Sequence, residues 1–401
     1  MATYHGPATD ELPGTAPATG SRRLVVARLT LTDFRCYRAL RLECGADSVV
    51  LAGPNGAGKT NLLEAISFLV PGRGLRRARS EDIAWRPVDG NPAEAWAVAA
   101  RIETPDGPHE VGTGRDSADG RDRRRVRIDG QPARGQAALA DVMSAVWLTP
   151  QMDRLFVDGA SARRRFLDRL VYGFDPAHAG RVAAYDHALR ERARLLRDGG
   201  GDPAWLAALE ETMAERGVAV AASRRELVGR LASACLAGAG PFPGAILEAA
   251  GDVEGWLDEG PALDAEDRLR VALAEARNAD ADAGGVGAGP HRSDLAVRHA
   301  ATGRPAAECS TGEQKALLIA TILASARLQA EERERTSVLL LDEVAAHLDA
   351  RHREALFDEV AALGAQIWYT GTDRALFAPL AGRARFFDVE AAAVTPSATA
   401  P

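Results

Sequence analysis

The chain has 401 residues, 46% hydrophobic and 26% charged, enough for two or three domains with real cores. That composition excludes a mostly disordered protein and a disulfide miniprotein. The 49 basic and 56 acidic residues leave a net charge of −7, so the chain is no general polycation, and any nucleic-acid contact must use local basic patches.

Residues 1–21 hold Pro, Gly, Thr and acids but no apolar core of a signal peptide, and read as a disordered leader. A similar composition marks 391–401 as a disordered tail. Strands are expected at Leu24–Leu31, Ser48–Ala52, Ala95–Ile102, Arg125–Asp129 and Ala145–Leu148. From Ala160 to Ala283 the texture turns to Ala, Leu, Arg and Glu, with helical patterns over Ala160–Tyr172, Pro176–Arg197, Pro203–Ala237 and Asp264–Asn278. Gly-rich breaks separate them, at Gly199-Gly200-Gly201 and Gly238–Gly244. After Gly284-Gly285 the α/β texture returns, with strands at Leu295–His299, Val338–Leu341 and Gln366–Thr370 and helices at Glu313–Arg335 and Arg351–Leu363. The expected organisation is an α/β head in two halves, 22–158 and 286–390, interrupted by a helical arm at 159–285. No stretch approaches the roughly eighteen apolar residues of a membrane helix. Cys36, Cys44, Cys235 and Cys309 show no C-x-x-C spacing, which argues against a zinc site and fits a reducing cytoplasm.

Only two lysines occur, Lys59 and Lys315; every other Lys or Arg position is arginine. A GC-rich genome drifts surface lysines to arginine, but a site needing a compact ammonium resists that exchange. Lys59 lies in Gly53-Pro54-Asn55-Gly56-Ala57-Gly58-Lys59-Thr60, a G-x-x-x-x-G-K-[ST] phosphate loop between an expected strand and an expected helix. Its backbone N–H groups and helix N-terminus suit phosphate. Lys59 is expected to reach the β- and γ-phosphates of ATP, and Thr60 to ligate Mg²⁺.

Val338-Leu339-Leu340-Leu341-Asp342-Glu343 is a Walker B pattern. An apolar run delivers Asp342 to the sheet's carboxyl edge, where it is expected to hold Mg²⁺, while Glu343 polarises the attacking water. The long stretch between the two motifs points to the ABC-type ATPases, including their SMC-like branch. That branch demands a signature sequence before Walker B, and Ser310-Thr311-Gly312-Glu313-Gln314-Lys315 stands there. Ser310, Gly312 and Gln314 are therefore expected at a nucleotide held by a second copy, although Ser310 with Glu313 also reads as a plain capping box. Asp349 matches a D-loop aspartate at the dimer interface, and Gln151 a Q-loop glutamine sensing Mg²⁺ and the γ-phosphate. The switch histidine is missing from Tyr369–Asp373, and His347 is in the wrong place. Thr370 or Thr372 is the expected substitute.

The sequence resembles the RecF family of bacterial recombination mediators. The likeness rests on Leu29–Tyr37 with its Phe-Arg-x-Tyr, Gly53–Ile66, Arg163-Arg164-Arg165-Phe166-Leu167-Asp168, Gly289-Pro290-His291-Arg292-Ser293-Asp294-Leu295, the signature, Walker B and Tyr369–Asp373. It implies an ATP-dependent DNA-binding protein that dimerises on ATP. It also implies action on duplex, gap junctions and stalled forks with RecO and RecR to load RecA, and weak, DNA-stimulated ATP hydrolysis that times release. An ABC transporter subunit is the alternative; it calls for a shorter insertion, a switch histidine and a membrane-domain partner.

Three arginine clusters are candidates for DNA phosphates: Arg73, Arg76, Arg77 and Arg79; Arg121, Arg123, Arg124, Arg125 and Arg127; and Arg163–Arg165. Each also reads as a solvated face, and the third as a structural helix start. Few aromatics interleave them, so backbone contacts to duplex are expected rather than base stacking.

Overall fold

The computed structural model describes residues 23–79, 82–87, 89–115, 124–199, 202–333 and 336–397. The leader at 1–21, Arg121, Arg123 and the Gly200-Gly201 break lie outside the described residues.

The first half of the chain supplies β1 (Val25–Phe34), β2 (Tyr37–Glu43), β3 (Ser48–Ala52), α1 (Lys59–Ser67), β4 (Trp96–Thr104), β5 (Gly107–Arg115), β6 (Arg125–Ile128), β7 (Gln131–Pro132), α2 (Leu139–Val142) and β8 (Ala145–Leu148). The middle supplies α3 (Ala160–Tyr172), α4 (Ala177–Arg197), α5 (Pro203–Ala237), β9 (Ala245–Ala250), α6 (Asp252–Glu259), α7 (Ala262–Glu275) and α8 (Arg277–Ala283). The last part supplies β10 (Asp294–His299), α9 (Thr311–Arg333), β11 (Val338–Leu341), α10 (Ala350–Ala362), β12 (Ile367–Gly371), β13 (Ala384–Glu390) and β14 (Ala393–Pro396).

Two six-stranded sheets carry the α/β body. One runs β2-β1-β4-β5-β6-β7, antiparallel throughout. The other runs β14-β13-β3-β12-β11-β8, parallel except for the β13–β14 pair. Both chain halves contribute to the second sheet, so β3 and β8 flank β12 and β11. Its strands are apolar on both faces because both faces are covered. Val49, Leu51, Val338, Leu340 and Trp368 face α1 and the antiparallel sheet. Val50, Leu339, Leu341, Ile367 and Tyr369 face the opposite core, with α3, α9 and α10. The period-2 alternation thus splits one run of hydrophobics between two cores.

The helices α4 to α7 pack around a third core that includes Tyr185, Met213, Val218, Val253, Leu269 and Leu273. Asp202 caps α5, its carboxylate accepting from the Ala204 N–H at 2.9 Å, with Pro203 at the first helical position. A buried ionic cluster ties the arm together. Arg192 donates to Glu210 at 2.9 Å and to Asp280 at 2.7 Å. At the root, Asp168 accepts both Arg224 Nε, at 2.8 Å, and Arg224 Nη2, at 2.9 Å, and lies 2.8 Å from His178 Nε2.

Three expectations are corrected. The 391–401 tail is not unstructured along its length, because Ala393–Pro396 pairs with β13; residues 398–401 lie outside the described part. The 159–285 segment is not purely helical, because Ala245–Ala250 pairs with β10; a cross-strand partner overrides its helix-favouring Ala, Leu and Glu. Nor does α3 stand apart from the head, since Phe166, Leu167 and Leu170 share the core of β8 and β11.

Two of the proposed DNA-contacting arginines are committed to internal contacts, one of them buried. Arg124 is 8% exposed, and donates to Gly72 O at 2.7 Å, Thr113 Oγ1 at 2.6 Å and the Phe68 carbonyl. It closes the C-terminal end of α1, where carbonyl dipoles favour a cation. Burial brings its pKa down to about 9. Arg163 forms a two-pronged pair with Asp294, both bonds at 2.7 Å, and locks α3 to β10.

Candidate functional site

The phosphate loop leaves β3 at the carboxyl edge of the parallel sheet and turns directly into α1. Gly53 and Gly58 are required there. A Cβ on Gly53 would meet Val389 O at 2.0 Å, and one on Gly58, at φ 116°, would meet Tyr37 Oη at 2.6 Å and Cys36 Sγ at 2.9 Å. The loop is braced by the Gly53 N–H to Gly371 O, 3.2 Å, and the Ala392 N–H to Ala57 O, 3.2 Å. The C-terminal segment therefore supports the loop it follows by more than three hundred residues.

Pro54, Asn55 and Gly56 form the open side of the loop, while Ala57 is buried. Lys59 is 4% exposed; its ammonium donates to Gly53 O at 2.7 Å and Pro54 O at 3.0 Å, and lies 3.4 Å from Glu343 Oε1. Thr60 donates to Asp342 Oδ1 at 2.9 Å across 282 positions of sequence. Thr370, fully buried, donates to the same oxygen at 2.7 Å, and its hydroxyl accepts the Glu343 N–H at 2.9 Å. Glu343 occupies the left-handed region at φ 51°, which swings its carboxylate off the strand and toward Lys59.

The residues fit a phosphate-bound Mg²⁺. That ion retains waters and takes one or two protein oxygens together with phosphate oxygens. Thr60 and Asp342 would supply those oxygens. No group of three or more His, Cys, Asp or Glu forms a metal cage among the described residues.

Other predicted residues fall into two sets. Ser310, Thr311 and Gly312 are exposed at the start of α9, and a Cβ on Gly312 would meet open space. Ser310 and Glu313 form the capping box: the Ser310 N–H donates to Glu313 at 2.8 Å, and Ser310 Oγ accepts the Glu313 N–H at 3.3 Å. Asp349 is exposed and caps α10, accepting the His352 N–H at 2.9 Å. Among the described residues, no hydrogen bond joins Ser310, Asp349 or Gln151 to the phosphate loop; Gln151 is exposed on the turn after β8. Gln314 is a correction. It is 5% exposed and donates to Cys309 O at 2.9 Å, so it clamps the preceding loop instead of facing a ligand. Thr372 is exposed at the edge, whereas Thr370 is the threonine that reaches Asp342.

Glu64 belongs to none of the nucleotide-site motifs. This carboxylate is fully buried on α1 and accepts Arg35 Nη2 at 2.7 Å and Arg35 Nε at 2.8 Å, with Arg76 at 3.3 Å. Arg76 also donates to Asn61 Oδ1 at 2.6 Å, beside Thr60. Two arginines are thereby fixed at the rim of the loop. The sequence signals for Glu64 are Arg35 in Phe-Arg-x-Tyr and its own place as the one acidic residue in the largely apolar run Asn61–Ile66.

The parallel sheet, loop, Asp342–Glu343 pair and exposed signature define an SMC-like ABC-type ATPase head. Residues 25–382 match the RecF/RecN/SMC N terminal domain family. The chain is 50% identical over 374 residues to a DNA replication and repair protein RecF of Mesorhizobium japonicum, covering 93% of this chain and 98% of that one. It is 48% identical to the RecF of Rhizobium rhizogenes, covering 94% and 99%. The chain belongs to the RecF family of DNA replication and repair proteins. In fold it resembles a solved recombination mediator protein RecF–ATP structure, with a TM-score of 0.79 at 20% identity over 96% of this chain and 100% of that one. An SMC head domain from Pyrococcus furiosus gives a TM-score of 0.53 at 15% identity, over 93% and 96%.

Proposed function

We propose that this chain is an ATP- and Mg²⁺-dependent DNA-binding recombination mediator that forms a homodimer when ATP binds. In this reading it acts at single-strand gaps or stalled forks in the cytoplasm, with RecR and RecO, to help load RecA. Hydrolysis is slow and DNA-stimulated and times release. The head comprises 22–158 and 286–390, and the arm 159–285 with α3 fixed to the head.

The observation that carries the reading is the division of the nucleotide site. Lys59, Thr60, Asp342 and Glu343 stand together, while the signature N-terminus of the same chain is exposed and contacts none of them. A second copy facing the first supplies the missing wall, with Ser310 and Gly312 on the γ-phosphate and Asp349 across the interface. Glu343 then serves as base and Gln151 senses the metal-bound γ-phosphate. A membrane-domain partner finds no support in the long insertion or in Thr370 standing where a histidine is expected; among the described residues, no helix is long and apolar enough to cross a membrane.

The DNA-facing surface is proposed where α3 meets the 290–294 segment. Arg164 donates to Ser293 O at 2.5 Å, which sets it beside exposed Arg292. Burial, then the like charges of Arg77 and Arg164, lower the pKa of Arg165. Four arginines from three distant segments thus converge, a pattern suited to phosphates.

The test is a duplex DNA titration at two salt concentrations with ATP, beside a nucleotide-binding assay. Ser310→Arg should bind ATP as a monomer but lose both the dimer and ATP-stimulated DNA binding. Full DNA affinity in a variant shown to be monomeric would leave a simple monomeric binder and defeat the dimer reading.

A further inference from the structure

Lys315, the second of the two lysines, is not in the phosphate loop. It lies in the first turns of α9, as the last residue of the signature whose first three residues are exposed. Its side chain is 8% exposed, and Nζ stands 3.4 Å from Asp153 Oδ2. Asp153 belongs to the 3₁₀ turn Pro150–Arg154, which also carries Gln151. Its other oxygen, Oδ1, is buried and has no hydrogen-bond partner among the described residues. The ammonium is therefore the charge that holds this carboxylate against the signature helix. A planar guanidinium with five donors does not replace a compact ammonium at such a buried reach, which accounts for a lysine in a chain that otherwise uses arginine.

The helix itself is anchored at its far end. Gln329 Nε2 donates to Gly173 O at 2.9 Å and to Ser144 Oγ at 3.1 Å, and Ser337 Oγ donates to Gln329 Oε1 at 2.6 Å. The signature end projects to solvent, while the Gln151 turn is held by short local bonds, such as the Met152 N–H to Thr149 O at 2.9 Å. The turn that carries Gln151 thus touches the signature end of the helix through the Lys315–Asp153 pair.

We propose that the Lys315–Asp153 pair makes the signature helix and the Gln151 turn move together. Engagement of Ser310 and Gly312 by a nucleotide on a second copy then sets Gln151 at this chain's own nucleotide. The pair is a positioning device and touches no substrate. It links the two sites of a dimer through a single chain, so ATP turnover is cooperative. The inference rests on the ATP-dependent dimer proposed above.

The experiment uses the full chain with ATP and Mg²⁺, comparing the parent with Lys315→Met, Asp153→Asn and the double variant. Nucleotide binding to dilute monomer, dimerisation, and hydrolysis rate against ATP concentration are measured. Monomer binding should stay within about twofold, while each single variant lowers kcat by about tenfold and brings the Hill slope from above one to one. The double variant should be no worse than either single one, as expected for residues acting through one contact. Asp153→Asn keeps the shape of the turn, so it decides the question if Lys315→Met fails to fold. Parent-like cooperativity in Asp153→Asn, or multiplied losses in the double variant, would overturn the inference alone. A parent that stays monomeric with saturating ATP would overturn the dimer reading and this inference with it.

Discussion

Thr370 donates its hydroxyl to Asp342 Oδ1 at 2.7 Å from the neighbouring strand β12, and the same hydroxyl accepts the Glu343 N–H. One fully buried side chain therefore orients the carboxylate proposed to bind the metal and stabilises the left-handed turn that aims Glu343, the proposed base. This threonine does not face the ligand as a switch histidine would. It acts from beneath, through Asp342 and Glu343.

Thr370→Val keeps the shape but leaves the Glu343 N–H without its acceptor and Asp342 with one donor fewer. The loss of a buried hydrogen-bond partner costs about 1–3 kcal/mol. Mg²⁺-dependent ATP binding should weaken by about tenfold, and hydrolysis should fall further as Glu343 loses its position. Titrating ATP with and without Mg²⁺ separates the two effects. Unchanged turnover would show that Thr370 is only a packing residue.

Lys59→Arg should also impair ATP binding, despite conserving charge. The ammonium fits between the Gly53 and Pro54 carbonyls at 2.7 and 3.0 Å, and a fork of five donors does not. Lys59→Met should abolish binding while leaving thermal unfolding close to the parent's. Normal ATP binding by the arginine variant would contradict the reading of the two-lysine census.

Asp168→Asn should destabilise the chain by about 3–5 kcal/mol, because Arg224, 5% exposed, loses its buried counter-ion. Burial opposes ionisation of Asp168, but the Arg224 charge and the bonds from His178 and Arg224 outweigh it and hold the carboxyl well below the usual carboxylate range. A depressed pKa gives stability that is present above the unfolded value, near about 4, and is lost as pH falls through the folded value. The gap between parent and variant should thus be widest at neutral pH and shrink as pH drops below about 4. Denaturant unfolding at pH 7 and at pH 3 measures it; a gap that widened in acid would reverse the assigned sign.

The parts legible in sequence were those fixed by local pattern. Ser48–Ala52, Ala145–Leu148 and Val338–Leu341 were read with their observed bounds, because each is a short apolar run ended by Gly, Thr-Pro or acids. The phosphate loop was legible because its spacing is its function. What escaped depends on distant partners. β9 and β14 form because β10 and β13 offer them hydrogen bonds, and nothing in Ala-Ile-Leu-Glu-Ala-Ala announces that. Nor does sequence separate an arginine that wraps carbonyls, as Arg124 does, from exposed neighbours such as Arg125 and Arg127. Gln314 reads as part of a ligand wall because it lies in the signature motif, yet its position on the first turn of α9 turns it inward.

In the proposed dimer, one chain holds only half of each working nucleotide site. Glu343→Gln preserves shape and removes the base, so it should bind ATP, fail to hydrolyse it and accumulate in the closed state. Sedimentation velocity of this variant, with and without saturating ATP and Mg²⁺, is the most direct measurement. A monomer without nucleotide and a dimer with it are expected; a variant that remains monomeric with ATP demonstrably bound would rule out the shared site.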